Sequence, residues 1–243
     1  MPRSSFRTNT GRDVSAVTAS EMRDVDRVAV EEVGLQLLQM MENAGRALAW
    51  HVRDVRDGDV EPCILVVAGN GGNGGGGLVC ARHLANRDLP VRVLLDRPSE
   101  ELTGAAAHQH RILDEMGVSV SIDAEQVFGY EEPTVVVDAL VGYGLRGEVR
   151  PPASTYIERM NERSDPVVSL DVPSGIDATT GATLGVSVTP DRTVTLALPK
   201  TGLDGVPGTL YLADIGIPAT VYERLGIEYE TPFEDQDWIG LNG

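Results

Sequence analysis

The stretch Val66-Val67-Ala68-Gly69-Asn70-Gly71-Gly72-Asn73-Gly74-Gly75-Gly76-Gly77-Leu78-Val79-Cys80-Ala81-Arg82-His83-Leu84 decides the fold. A β-branched apolar run, begun at Ile64 and Leu65, breaks into glycine and then resumes with helical spacing, which reads as strand, loop and helix. Glycine lacks a Cβ and admits φ > 0, so consecutive backbone N–H groups of such a loop can converge on an anion at a helix N-terminus. The order Gly69-x-Gly71-x-x-Gly74 satisfies the dinucleotide-binding fingerprint, and its place between a strand and a helix is the context that fingerprint requires. Alone the match is weak, because seven glycines in nine positions satisfy most glycine patterns. The competing reading is a flexible surface loop.

Around this unit, 243 residues with 42% hydrophobic content suffice for one sizeable α/β domain and leave little room for two. Thirty-seven acidic against twenty basic residues give a formal charge of −17, which argues against nucleic-acid binding by broad phosphate neutralisation. All the basic residues are arginine except Lys200. Acid excess with lysine depletion fits a salt-adapted proteome, and equally an ordinary acidic cytosolic protein from a GC-rich genome. Cys63 and Cys80 sit at apolar positions without metal or disulfide spacing, and are expected to be reduced core residues. No apolar run approaches the roughly 18 residues that span a bilayer, and the start MPRSSFRTNTGRD lacks a secretory apolar segment. The expected location is cytoplasmic, with no membrane partner.

Residues 1–15 are polar and are expected to form a flexible N-terminal segment, leaving residues 16–243 as a single domain. Thr18-Ala19-Ser20-Glu21 is a capping box that starts a helix. Met22, Val25, Val28 and Ala29 keep helical spacing, Gly34 punctuates, and Leu35, Leu38, Met41, Ala44, Gly45 and Leu48 continue on a second helix, making an N-terminal helical pair. The body alternates: strand over about 63–68, helix 77–86, strand 91–95, helix 103–116, short strand 118–122. Then come strand 134–137, a helix over 153–162 begun by Pro151-Pro152, and strands 167–170, 193–196 and 209–213. Such alternation predicts an α/β fold: a three-layer αβα Rossmann-like sandwich on a mostly parallel sheet.

Two carboxylates stand just past strand ends, where a doubly wound sheet places its ligand groups. Asp138 follows Val135-Val136-Val137 and precedes a glycine-bearing loop. A strand-end Asp is a cation ligand, a catalytic group or a turn cap, and the sequence leaves all three open. Asp171 follows Val167-Val168-Ser169-Leu170 and is held by a proline turn, with the Ser174 hydroxyl three residues on.

Together these segments resemble the NAD(P)HX epimerase family, or YjeF N-terminal domain, which includes the apolipoprotein A-I binding protein. The resemblance runs from about residue 18 to 218. It rests on Thr18-Ala19-Ser20-Glu21-Met22 with Asp26, Met41-Glu42-Asn43-Ala44-Gly45, the glycine loop, Val137-Asp138-Ala139-Leu140 with Gly142 and Gly144, Asp171-Val172-Pro173-Ser174-Gly175, Leu198-Pro199-Lys200, and Asp214-Ile215-Gly216-Ile217-Pro218. It implies an enzyme, usually a homodimer, that interconverts the R and S epimers of hydrated NADH and NADPH, cofactors damaged at C6 of the nicotinamide ring. A separate dehydratase repairs the S form.

Carried over by position, the family's potassium ligands, one ion per subunit, fall on Asn73, Asp138 and Ser174. Its substrate-binding positions fall on Gly72, Asn73, Gly74, Gly75 and Gly76, on Gly142, Tyr143, Gly144, Leu145, Arg146, Gly147 and Glu148, and on Asp171. Asp171 is the implied catalytic acid. Breaking the C6–O bond needs an acid for the leaving hydroxyl, and re-addition from the other face needs a base to activate water, roles one carboxylate could fill in turn. Where the family's loop reads G-N-N-G-G-D-G, this chain has Gly72 for the first Asn and Gly76 for the Asp. A nucleotide-binding module without turnover is therefore the alternative to an active epimerase, and a structural or interaction protein is the third reading.

Overall fold

The computed structural model describes residues 5–56, 63–129 and 134–242. In chain order the elements are β1 (Ser5–Thr8), β2 (Asp13–Ser15), α1 (Ala19–Arg27), which runs on as a π-helical turn over Val28–Val33, α2 (Leu37–Val55), β3 (Ile64–Ala68), α3 (Gly72–Ala85), β4 (Val91–Leu95), α4 (Gly104–Glu115), β5 (Ser119–Ser121), α5 (Ala124–Gly129), β6 (Val135–Ala139), α6 (Ala153–Asn161), β7 (Val167–Leu170), β8 (Arg192–Leu196), β9 (Thr209–Ala213), α7 (Ala219–Arg224) and β10 (Trp238–Asn242).

One ten-stranded sheet carries the order β2-β1-β10-β9-β8-β7-β6-β3-β4-β5. From β5 to β9 every pairing is parallel, whereas β10, β1 and β2 close the far edge antiparallel. Alternation along β3 sorts the core: Ile64, Val66 and Ala68 pack under α2, α3 and α4, while Leu65 and Val67 face α5 and α6. This is the three-layer α/β sandwich that the sequence predicts. The strand order reverses at β3, between β4 and β6, so the crevice beyond the strand ends opens there.

The expectation of a flexible segment over residues 1–15 is corrected for the described residues. β1 and β2 form a hairpin whose outer edge pairs with β10, and Phe6 and Val14 are buried. Residues 1–4 lie outside the described residues. The N-terminal helical pair is part of the core: Met22, Val25, Val28 and Ala29 cluster with Leu212, Val221 and Tyr222, and α2 covers the sheet beside α3. The capping box forms as expected, with Glu21 N donating to Thr18 Oγ1 at 3.2 Å and Thr18 N to Glu21 Oε2 at 2.8 Å.

A second correction concerns the glycines. Helix α3 begins at Gly72, inside the run, and none of its glycines takes a positive φ. Each interior glycine costs a helix about 1 kcal/mol relative to alanine, so propensity does not explain them; packing does. A Cβ on Gly75 would stand 2.7 Å from Met41 Sδ, on Gly76 2.7 Å from Leu170 Cδ2, and on Gly77 2.5 Å from Ala139 Cβ. The helix lies against α2 and the sheet too closely for side chains. Cys63 and Cys80 are both free thiols, and burial pushes the Cys80 thiol pKa up.

Candidate active site

The N-terminus of α3 opens on the crevice. Gly71 is its N-cap, Gly75 N closes the first turn onto Gly71 O at 3.0 Å, and Cβ atoms at Gly71 or Gly72 would meet nothing within 4 Å. The start of this 14-residue helix thus lines the cavity with no side chain at Gly71 or Gly72, and a helix N-terminus so placed is the geometry of an anion site.

Asp138 lies within the fully buried strand β6, one residue before its end rather than just past it, paired with Val67 and Ser169, and is itself wholly buried. Its carboxylate accepts from Ser169 Oγ at 2.8 Å, Ser174 N at 2.8 Å, Ser174 Oγ at 2.5 Å and Leu140 N at 3.3 Å. Burial raises its pKa and these donors oppose the rise. Among the described residues no basic side chain pairs with it, so the charge is held by neutral groups alone. Ser174 Oγ also lies 3.2 Å from Val141 O. Asn73 stands apart from this pair: with its amide nitrogen toward Leu170 O (3.1 Å) and its oxygen toward Gly142 N (3.3 Å), both are satisfied. All three residues carry hard oxygen atoms, the ligand chemistry that a monovalent cation takes, and Asp138 and Ser174 supply two of them in direct contact.

Asp171 leaves β7 through a γ-turn. Its φ is +67°, Val172 N bonds Leu170 O at 2.9 Å, and Asp171 N reaches across to Val194 O at 2.7 Å. One strand over, Ala197 makes the same turn, with φ +63° and Leu198 N on Leu196 O at 2.7 Å. Non-glycine residues in this conformation are costly and collect at functional sites. The second turn returns Lys200 beneath the first. Lys200, wholly buried, donates from Nζ to Asp171 Oδ1, to Leu196 O at 2.9 Å and to Thr195 Oγ1 at 3.4 Å, so each of its three protons has an acceptor. The segment after β2 holds this turn down: Val17 N donates to Pro199 O and Thr201 N to Val17 O, both at 2.9 Å.

Tyr143 joins two carboxylates. Its backbone N donates to Asp171 Oδ2 at 3.2 Å, and its phenol donates to Asp26 Oδ2 on α1. Gly142 allows this approach, because a Cβ there would stand 3.0 Å from Asp171 Oδ2 and 2.9 Å from Asn73 Oδ1. Burial, and then the negative Asp26, raise the Tyr143 pKa and keep the phenol protonated. Burial also raises the Asp26 pKa, against the Tyr143 hydrogen bond and the Lys200 charge. The site therefore holds one carboxylate clamped by an ammonium and another whose pKa burial raises, a division that suits acid and base roles.

These groups line one cavity of about 650 Å³. Of the sequence-derived positions, Gly72, Asn73, Gly76, Gly142, Tyr143, Gly144 and Asp171 reach it; Gly74, Gly75, Leu145, Arg146, Gly147 and Glu148 do not. Gly74 and Gly75 are turned to the Gly69 backbone and to Met41, and Glu148 packs beside Gly185. Asp138 and Ser174 lie behind the wall, tying down the turn that bears Asp171. Sequence reading assigned no role to Lys200 or Asp26, though a sole lysine among arginines was a visible signal. It passed over Asp96 and Arg97, which also line the cavity.

The family model described as YjeF-related protein N-terminus matches residues 37–202. An NAD(P)H-hydrate epimerase of Dehalogenimonas lykanthroporepellens is 43% identical over 236 residues, spanning 94% of this chain and 93% of that protein. The chain belongs to the YjeF-related N-terminus family. A further member, the bifunctional NAD(P)H-hydrate repair enzyme Nnr of Salinibacter ruber, is 38% identical over 226 residues, which are 86% of this chain and 42% of that protein. The chain thus spans less than half the length of its bifunctional relative. The crystal structure of yeast ynu0, YNL200c, superposes with a TM-score of 0.81 at 28% identity, covering 92% of this chain and 98% of that one.

Proposed function

We propose that this YjeF-family chain is an NAD(P)H-hydrate epimerase, acting on the R and S forms of hydrated NADH and NADPH. The observation that carries the reading is the buried Asp171–Lys200 pair at a strand end, opening on the same cavity as the bare N-terminus of α3. The helix end is the seat for the dinucleotide pyrophosphate, which leaves the nicotinamide ring to reach Asp171. Epimerisation detaches the C6 hydroxyl with push from the ring nitrogen and returns water to the opposite face. Asp171, paired to the Lys200 ammonium, is the group that takes a proton from water; Asp26, paired to the Tyr143 phenol, is the group that gives one to the leaving hydroxyl. The reverse reaction exchanges the roles.

The same reading places a potassium ion at Asp138 and Ser174, with Asn73 as third ligand once its amide turns. When bound, it would supply positive charge to the substrate's anionic oxygens. The S epimer would pass to an NAD(P)HX dehydratase. No helix of the described residues is long and apolar enough to cross a membrane, and we assign the protein to the cytoplasm as a homodimer.

Chromatography of hydrated NADH and NADPH, following R-to-S interconversion with and without potassium, tests the reading. The expected result is interconversion that potassium accelerates; ligand binding without interconversion would replace it with the binding-module reading. Thallium anomalous scattering locates the cation independently.

A further inference from the structure

The cavity extends past the glycine turn on the side away from Asp171. Strand β3 lies between β4 and β6, so the Asp138 and Asp171 turns stand on one side of the α3 N-terminus and the end of β4 stands on the other. Leu95, the last residue of β4, pairs with Ala68, and Asp96 N donates to Ala68 O at 3.2 Å. Asp96 thus sits one strand spacing, about 5 Å, from the start of the glycine turn. Asp96 lines the cavity together with Asn70 and Gly71.

The carboxylate is fixed there by its neighbour. Arg97 folds back so that Nε meets Asp96 Oδ1 at 2.9 Å and Nη2 meets Oδ2 at 3.0 Å, a bidentate fork along one edge of the carboxylate. The Asp96 side chain is 13% exposed and that of Arg97 38%. Arg97 therefore commits its paired donors to Asp96, and the remaining lone pairs of the carboxylate are left for the cavity.

A dinucleotide with its nicotinamide at Asp171 and its pyrophosphate over α3 must carry its adenosine ribose toward β4. We propose that Asp96, held by Arg97, reads the 2′ position of that ribose and makes the site prefer hydrated NADH over hydrated NADPH. The inference rests on the reading given under Proposed function. An anionic acceptor gains a hydrogen bond from a free 2′-hydroxyl and repels a 2′-phosphate. The Nε and Nη2 edge of Arg97 is not free for that phosphate while the pair with Asp96 holds.

The test is calorimetric binding of ADP-ribose and 2′-phospho-ADP-ribose, alongside epimerisation of both hydrated cofactors, for wild type, Asp96→Asn and Arg97→Gln. Wild type is expected to favour the unphosphorylated compounds by about tenfold or more. Asp96→Asn should cut that preference by about tenfold, whereas Arg97→Gln, which leaves the carboxylate without its cation, should keep or widen it. Equal affinities in wild type, an unmoved preference in Asp96→Asn, or no binding of either compound overturns the assignment. If the binding preference shifts as stated but neither cofactor is epimerised, the ribose assignment stands and the epimerase reading falls. If both cofactors are epimerised but Asp96→Asn leaves the preference unmoved, the epimerase reading stands and the ribose assignment falls.

Discussion

Lys200, the only lysine of the chain, is buried directly under Asp171, its ammonium shared among that carboxylate, the Leu196 carbonyl and the Thr195 hydroxyl. Two successive strand ends make this possible by turning in the same manner, at Asp171 and at Ala197. Both residues are buried in the wall of the cavity, Lys200 completely and Asp171 all but 4%.

Asp171→Asn should lower epimerisation by about 10²-fold or more, because the substitution keeps shape but removes the proton acceptor. Dinucleotide binding should persist through the backbone donors of α3. Lys200→Met, by contrast, leaves Asp171 buried and unpaired and should destabilise the fold by about 3–5 kcal/mol. Combining Lys200→Met with Asp171→Asn should recover much of that loss in urea unfolding. Full activity in Asp171→Asn would remove the residue from the chemistry.

Gly76→Asp restores the loop acid of the family, but a Cβ at Gly76 meets Leu170 Cδ2 at 2.7 Å. The single substitution should therefore cost about 1–3 kcal/mol by overpacking. Leu170→Val in the same chain gives the new side chain room, so the double variant should regain stability and turn over faster than wild type. A cost unaffected by Leu170→Val would show that the two positions are not coupled.

His51 is wholly buried among Trp50, Tyr211 and Trp238, and burial, with Arg192 next, lowers its pKa to about 3. Unfolding restores the ordinary value near 6.5, so between these values the unfolded chain binds the extra proton. Stability contributed by His51 is complete above about pH 6.5 and declines by up to about 1.4 kcal/mol per pH unit as pH falls toward 3. The raised acids Asp26 and Asp138 act with the opposite sign, being protonated more readily when folded. His51→Phe, which keeps the ring packing, should flatten the acid decline in thermal unfolding measured from pH 7 to pH 4. An unchanged decline would assign it to other groups.

Val30, Leu37 and Leu38 remain exposed on the N-terminal helices after the rest of their apolar surface is buried within the chain. Light scattering should give a dimer for the intact protein, and Leu38→Glu should convert it to a monomer. A monomeric wild type would leave these residues as ordinary surface.

Much of the scaffold was legible because it is periodic. The β3-glycine-α3 unit, the valine-rich strands and the carboxylates Asp138 and Asp171 at their tips follow from alternation and turn chemistry. What the sequence hid depends on distant pairing. Asp26 and Tyr143 are 117 residues apart, and nothing local links them. Strand β1 is four residues long and polar at alternate positions, and its partner β10 lies at the other end of the chain. The glycine run read as a loop because its helix propensity is poor, whereas close packing on Met41, Leu170 and Ala139 makes it a helix.

That helix start has a bearing on how the protein can change over generations. Its anion-facing donors are main-chain N–H groups, which every codon encodes alike, so substitution cannot exchange one such donor for another. Variation reaches them through a side chain placed over them at Gly71 or Gly72, where a Cβ meets nothing within 4 Å, and through the residues behind the helix. Larger or smaller side chains at Met41 or Leu170, which face Gly75 and Gly76, would tilt the turn as a body, and part of the inheritance of the site is carried by its packing neighbours.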